Sequence, residues 1–187
     1  MIKVYHGSNI PVPFPQISKG RKNVDFGLGF YVTDNYEIAE KWASHKKDNA
    51  VISEYELDIN KLKTYRFNLD SEWLNYVIAN RNGCSTNLDI RNYDVIIGPI
   101  VDEKMFSVIE YYENGWIDSE TAIEVLVNFN AGIQFCLITQ DSIDTRLRFV
   151  NAYTISPARR EVVYMKINNE YKDAVNCAGR ILRKHCI

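Results

Sequence analysis

Three short segments hold the residue types that can do chemistry. Tyr5-His6-Gly7-Ser8 closes the first run of β-forming residues and sets an imidazole, a bare main chain and a hydroxyl side by side. Phe26-Gly27-Leu28-Gly29-Phe30-Tyr31-Val32-Thr33 places two glycines just ahead of two aromatics. Glycines let the main chain bend and approach a ligand closely, and the aromatics set a flat face beside that gap. The pairing suits a planar heterocycle. It is not a Rossmann fingerprint, because the third glycine is missing and the glycines precede a strand instead of following one. No Gly-Lys-Ser/Thr follows, so it is not a phosphate-binding P-loop either. Trp42 comes eleven residues after Tyr31, on the next predicted helix. A Trp across a cleft from a Tyr can sandwich a ring, each aromatic contact adding about 0.5–1.5 kcal/mol beyond area burial. Alone, each feature also fits an ordinary role: a structural histidine before a turn, a glycine turn into a core strand, a tryptophan on an apolar helix face.

The elements that must position these residues follow from periodicity. Residues 2–5 predict a short strand, and residues 9–25, broken by Pro11, Pro13 and Pro15, a loop. Phe30 to Thr33 predicts a strand. Asp34 then caps a helix, with Glu37 at capping-box spacing and Ile38, Ala39, Trp42 and Ala43 as its apolar stripe. Val51 to Leu57 predicts a strand. A second helix starts near Asp70 or Ser71 and buries Trp73, Leu74, Val77 and Ile78. Asp94 to Val101 reads as a buried strand interrupted by Gly98-Pro99. Helices follow near 103–112 and 119–128, then a strand from Gln134 to Thr139. A final amphipathic helix spans Tyr171 to Leu182, with Tyr171, Ala174, Val175, Ala178 and Ile181 inward. Strict βαβ alternation is absent, which predicts an α+β fold.

Composition bounds the rest. With 187 residues and 46% hydrophobic content, the chain suits one domain with a real core. No apolar run reaches the roughly 20 residues that span a bilayer, and the first residues lack a signal-peptide profile, so a cytoplasmic location is expected. Cys84, Cys136, Cys177 and Cys186 are scattered without CxxC spacing, which predicts free thiols and no zinc site. The net charge of −2 gives no global push toward nucleic acid. Residues 151–187, however, hold seven Lys/Arg against three acids, a net of +4, which leaves −6 for the rest. That segment reads as a basic, helical C-terminal extension packed on the domain formed by residues 1–150. Its charge is either a solvated helix face or a contact surface for a polyanion or acidic partner.

Taken together, His6-Gly7-Ser8, Gly27-Leu28-Gly29-Phe30-Tyr31 and the helix bearing Trp42 resemble the ADP-ribosyltransferase superfamily, in its His–Tyr–Glu branch. More closely, the sequence is similar to a bacterial family of ADP-ribosyltransferase-like domains of unknown function. That similarity runs through Phe67 to Arg81, including Asp70, Glu72, Trp73 and Asn80, then Tyr93 to Pro99 and Ile133-Gln134-Phe135, and covers roughly residues 3–150. The resemblance implies a split β-sheet core with flanking helices and NAD⁺ as co-substrate, with no metal. It implies that His6 holds a ribose 2′-hydroxyl of NAD⁺ and that the Gly7 main chain grips the nicotinamide carboxamide. Tyr31 and Trp42 would stack on the nicotinamide, with Ser8, Gly29 and Phe30 close by. His6, Tyr31 and Gln134 match the catalytic triad, Gln134 standing where the branch has Glu.

The implied activity is NAD-dependent mono-ADP-ribosyl transfer to a protein or nucleic-acid acceptor. The implied setting is a bacterial toxin or conflict system with a small antitoxin as partner. Gln134 keeps an acceptor oxygen but cannot carry charge or act as a general base. Its carbonyl is therefore expected to orient the ribose 2′-hydroxyl, and its NH₂ the acceptor. Asp102 and Glu103 are the nearest alternative acids in sequence. Gly132, where arginine-modifying members have an acid, argues against arginine as the acceptor. The competing reading is a catalytically degenerate NAD- or ligand-binding interaction module. RNA 2′-phosphotransfer on the same fold ranks low, since it wants several Arg/His residues around the pocket and the chain has three histidines.

Overall fold

A computed structural model describes the chain except residues 47, 87, 102–105 and 186–187. The candidate acids Asp102 and Glu103, and Cys186, lie outside the described residues. The fold is α+β, with two sheets and helices on both outer faces. The first sheet has the order β1-β3-β7, where β1 is Ile2–Ser8, β3 is Val51–Leu57 and β7 is Leu147–Thr154. All its pairs are antiparallel. The second has the order β2-β6-β5-β4, with β2 Phe30–Val32, β6 Asn130–Leu137, β5 Val95–Val101 and β4 Thr64–Arg66. Only β4 and β5 run parallel in it.

The sheets pack face to face through Val4, Phe30, Val32, Tyr55, Leu57, Val95, Ile97, Phe135 and Leu137, a core drawn from alternate positions of five strands. Fully burying such a side chain contributes about 1.5–3 kcal/mol. Helix α1 (Tyr36–Ser44) covers the outer face of the first sheet, where Ala39 and Ala43 meet Ala50 and Ile52. The outer face of the second sheet, with Ile96 and Cys136, lies under Phe26 and helices α2 (Ser71–Arg81) and α4 (Ser119–Val127). Helix α3 (Phe106–Glu113) adds Val108 and Ile109 to that cluster.

Several boundaries differ from the sequence expectation for physical reasons. Strand β1 runs on through His6, Gly7 and Ser8, all paired with β3, so His6 lies within a strand and not before a turn. The cap of α1 is Asn35, whose side chain accepts from the Glu37 N–H at 2.9 Å; Asp34 stays outside. The third and fourth helices and β6 appear near their expected positions. Helix α5 (Gln140–Arg146) and strands β4 and β7 are additional.

The C-terminal helix α6 spans Pro157–His185, far longer than expected. Ser156 caps it by accepting from the Arg159 N–H, and Pro157 sits in the first turn, where a missing N–H costs nothing. Val163, Ile167, Ala178 and Ile181 form its buried stripe, and Val175 falls outside it, 42% exposed. Strand β7 crosses residue 150, so the C-terminal segment starts as strand before it turns helical. Among the described residues, no helix is long and apolar enough to cross a membrane.

Candidate functional site

The two sheets join at one pair of residues among those described. The Tyr5 N–H donates to the Thr33 carbonyl at 2.7 Å, and the Thr33 N–H donates to the Tyr5 carbonyl at 2.9 Å. In a strand, alternate residues turn their N–H and C=O to the same edge. Tyr5 faces β2, so Gly7 faces the same way, while His6 and Ser8 turn theirs to β3. With β2 antiparallel, Gly7 stands opposite Tyr31. There the strands part: among the described residues, no hydrogen bond joins the main chains of Gly7 and Tyr31. The result is a slot in the main-chain hydrogen-bonding ladder between the two sheets, with the Gly7 N–H and C=O on its β1 side.

His6 spans that slot. Its Nδ1 lies 2.7 Å from the Tyr31 carbonyl oxygen. A carbonyl only accepts, so Nδ1 carries the proton and a neutral ring leaves Nε2 with a lone pair. The ring rests against Phe30, with centroids 4.6 Å apart. Burial pushes its pKa down to about 4; the Tyr31 carbonyl opposes this more weakly, and Lys46 adds to it. His6 is therefore a neutral acceptor at pH 7.

Tyr31 is a scaffold group. Its hydroxyl donates to the Gly27 carbonyl at 2.7 Å and accepts from the Phe26 N–H at 3.0 Å. Its ring lies parallel to Phe26 on the outer face of the second sheet. Burial raises its pKa well above the usual range, so it stays protonated. Cys136, its partner across β2 and β6, is likewise pushed up to about 12 by burial.

Gln134 shares that face, two residues before Cys136 on β6, and is 4% exposed. Its Nε2 donates to Asp25 Oδ2 at 2.8 Å and to the Pro99 carbonyl at 3.2 Å. Both partners are acceptors, which fixes the amide's orientation. Asp25 Oδ1 in turn takes Arg81 Nε at 2.8 Å and a second guanidinium nitrogen at 2.5 Å. Asn80 holds the Asp25 carbonyl at 3.2 Å. Residues 25–27 thus tie β2, β6 and α2 together around Tyr31 and Gln134. The expectation that the Gln134 NH₂ orients an acceptor molecule is corrected here: both its N–H bonds go to the protein, and Oε1 is the atom not committed to Asp25 or Pro99.

A family model described as "Protein of unknown function (DUF3990)" matches residues 2–149. The chain belongs to this family. No curated protein and no solved structure matches it. The DUF3990 segment contains every residue of the slot and of the Asp25–Gln134 network, and it ends inside β7.

Within the DUF3990 segment, Trp42 is half-buried on α1 and borders Gly7, where a Cβ would come within 2.9 Å of the Trp42 Cβ and 2.2 Å of the Ala39 carbonyl. Helix and strand can lie this close only because residue 7 has no side chain. Among the described residues no ring contact joins Trp42 and Tyr31, since the Tyr31 ring packs away on Phe26. Gly29 does not open a gap for a ring: a Cβ there would lie 2.4 Å from Cys136 Sγ and 2.8 Å from the Leu137 carbonyl, so β6 fills that space. Ser8 Oγ donates to the Ile10 carbonyl at 2.6 Å.

His6, Gly7, Phe30 and the Tyr31 main chain therefore converge on the slot, with Trp42 at its side. The Tyr31 ring and Gln134 converge on the other face of β2. Sequence reasoning missed Asp25 and Arg81. Asp25 directly precedes the glycine segment, but its partner Gln134 is 109 positions away, and no local spacing reports that contact.

Proposed function

We propose that this chain is an NAD-dependent mono-ADP-ribosyltransferase with the split-sheet core of that superfamily, binding the nicotinamide end of NAD⁺ where β1 and β2 part. The observation that carries the reading is Gly7. A primary carboxamide needs one acceptor for its NH₂ and one donor for its carbonyl, and the edge-facing main chain of Gly7 supplies both. Trp42 beside Gly7 offers the stacking face, and Tyr31 forms the opposite wall through its main chain. His6 Nε2, neutral and oriented by the Tyr31 carbonyl, can accept from a ribose hydroxyl. Bound NAD⁺ supplies an ADP-ribosyl group whose bond to nicotinamide breaks as positive charge builds on the ribose.

The chain's own groups bind and orient more than they move protons. His6 has a single acceptor to offer, Tyr31 keeps its proton, and Gln134 is neutral. The acceptor in this reading is a protein or nucleic-acid group already competent as a nucleophile. A toxin or conflict role, a small antitoxin partner and a cytoplasmic site rest on the family resemblance alone.

NAD⁺ is expected to quench tryptophan fluorescence and raise the melting temperature, with both effects weakened in Trp42→Ala. Incubation with labelled NAD⁺ and cell extract should release nicotinamide and label a macromolecule. If saturating NAD⁺ changes neither fluorescence nor melting, the pocket assignment is wrong. A second reading, an NAD-binding module without turnover, is favoured by one observation: the third triad position is an amide with both N–H bonds committed. Binding without nicotinamide release by the wild-type protein would select it.

A further inference from the structure

Resting on the ADP-ribosyltransferase reading, we infer that the loop of residues 9–24 docks a single-stranded nucleic acid at the open end of the slot, which makes nucleic acid the acceptor class. The Tyr5–Thr33 pair closes one end of the slot, and the other end opens toward Ser8 and Phe30. Ser8 ends β1 and Phe30 begins β2, so the loop leaves from one wall and returns to the other. Its second half lies against the start of β2. A Cβ at Gly20 would come within 2.8 Å of the Gly29 carbonyl and 3.2 Å of the Leu28 side chain.

Two features of this loop point to the ligand. The first is Phe14, which is 86% exposed on a main chain that is pinned on both sides of it. Before it, the Val12 N–H donates to Ser53 Oγ at 3.1 Å and the Val12 carbonyl accepts from the Tyr55 hydroxyl at 2.5 Å. After it, the Pro15 carbonyl accepts from Gln140 Nε2 at 3.1 Å, and the Ile17 N–H donates to Gln140 Oε1 at 3.0 Å. Pro13 and Pro15 fix their own φ, so the ring is displayed with little main-chain freedom left to lose on binding. The second feature is charge. Residues 9–24 hold Lys19, Arg21 and Lys22 and no acid, in a chain of net charge −2. All three cations are exposed, and none makes an ion pair among the described residues. Phe14 and Lys22 are eight residues apart, at most about 29 Å even for a fully extended chain. A single strand answers both features, because every nucleotide brings a phosphate for a cation and a flat face for the ring. A duplex keeps its base faces stacked on one another, and an acidic peptide answers only the cations. Transfer to such a strand forms a bond from a base nitrogen to C1′ of the ribose and breaks the bond to nicotinamide. Nicotinamide leaves as the neutral amide, and the nitrogen's proton passes to water.

The test is fluorescence anisotropy with labelled mixed-sequence oligonucleotides, single-stranded DNA and RNA and the DNA duplex, over a range of salt and without NAD⁺. The wild type is expected to bind a single strand more tightly than the duplex. Phe14→Ala is expected to weaken single-strand binding about 5- to 150-fold. Replacing Lys19, Arg21 and Lys22 together by Gln is expected to lower the slope of log affinity against log salt by about 2. The substituted side chains are exposed, so melting temperatures should stay at the wild-type value, as should the shift that NAD⁺ produces. Arg180→Gln with Arg183→Gln, on the exposed face of α6, is the control and should bind as the wild type does. No single-strand binding, a duplex bound as tightly, binding untouched by the loop substitutions, or a loss confined to the α6 control each overturns the inference and leaves the ADP-ribosyltransferase reading standing. Loop substitutions that abolish the NAD⁺ shift while keeping oligonucleotide affinity overturn it as well, and give the cations to the NAD⁺ pyrophosphate instead. Single-strand binding through Phe14 in a protein on which NAD⁺ has no effect upholds the docking surface and removes the reading that makes the strand an acceptor.

Discussion

His6 couples the slot to pH. Its folded pKa of about 4 lies below the 6.5 of an unperturbed imidazole. Between those values the unfolded chain takes up a proton and the folded protein does not, so stability falls as pH drops through that window. The loss from this one group amounts to about 3 kcal/mol once pH is below both values. His6→Gln should flatten the wild type's decline between pH 6.5 and 4, as read from urea unfolding at each pH. Equal pH dependence in the two proteins would show that the ring is not held neutral by its surroundings. Gln134 carries the second expectation at this scale. A carboxylate at this position would meet Asp25 and the Pro99 carbonyl where Nε2 now donates. Gln134→Glu alone should therefore be less stable by about 1–3 kcal/mol and should not raise NAD⁺ hydrolysis. Adding Asp25→Asn, which returns a donor to the pair, should recover part of that stability. Thermal denaturation of the three variants checks the order, and a Gln134→Glu protein as stable as wild type would contradict the hydrogen-bond assignment.

Helix α1 packs closely on β1 at Gly7. Gly7→Ala puts a methyl within 2.2 Å of the Ala39 carbonyl and 2.6 Å of the Ala43 nitrogen, both main chain, so neither can step aside. A loss of about 1–3 kcal/mol or more is expected, measured by chemical denaturation, together with a shift of Trp42 fluorescence as α1 moves. Helix α6 is held against α1 from its first turn. Arg159 forks onto the buried Glu40 at 2.8 and 2.7 Å, Arg160 reaches the Ser44 and Asp48 carbonyls, and Lys166 pairs with Glu37. Three of the seven basic residues of the C-terminal segment are thus engaged within the protein. Arg159→Ala should lower the melting temperature more than Lys166→Ala, because it strands a buried carboxylate while Lys166 leaves an exposed one. Equal effects would place Glu40 in contact with water. Elements with strong periodicity were legible in the sequence: β2, β3, β5 and the helices around Trp42, Trp73 and Leu126. Strands β4 and β7 were not, since Thr64–Arg66 is short and Leu147–Thr154 alternates with mostly exposed positions. His6, Gly7 and Tyr31 were legible as neighbours of chemistry, but their facing across the split depends on the Tyr5–Thr33 pair, which no local pattern encodes.

For the whole molecule, the two sheets share a packed core but only one main-chain link among the described residues, between Tyr5 and Thr33. If NAD⁺ lodges beyond that link, hydrogen exchange should slow in peptides covering residues 6–8 and 26–31 and remain unchanged in β4 and the far end of α6. Protection confined to other segments would move the binding place elsewhere. Strand β7 carries a different consequence. The family segment ends at residue 149, partway along it, and β7 flanks β3, whose residues are buried on both faces. Trimming the chain at that boundary would strip pairing from Val51 to Glu54 and turn a central, buried strand into an edge. Such an edge templates the addition of strands from other copies. A protein cut after residue 149 is therefore expected to self-associate, and light scattering would register it, whereas one cut after Thr154 keeps the ladder closed.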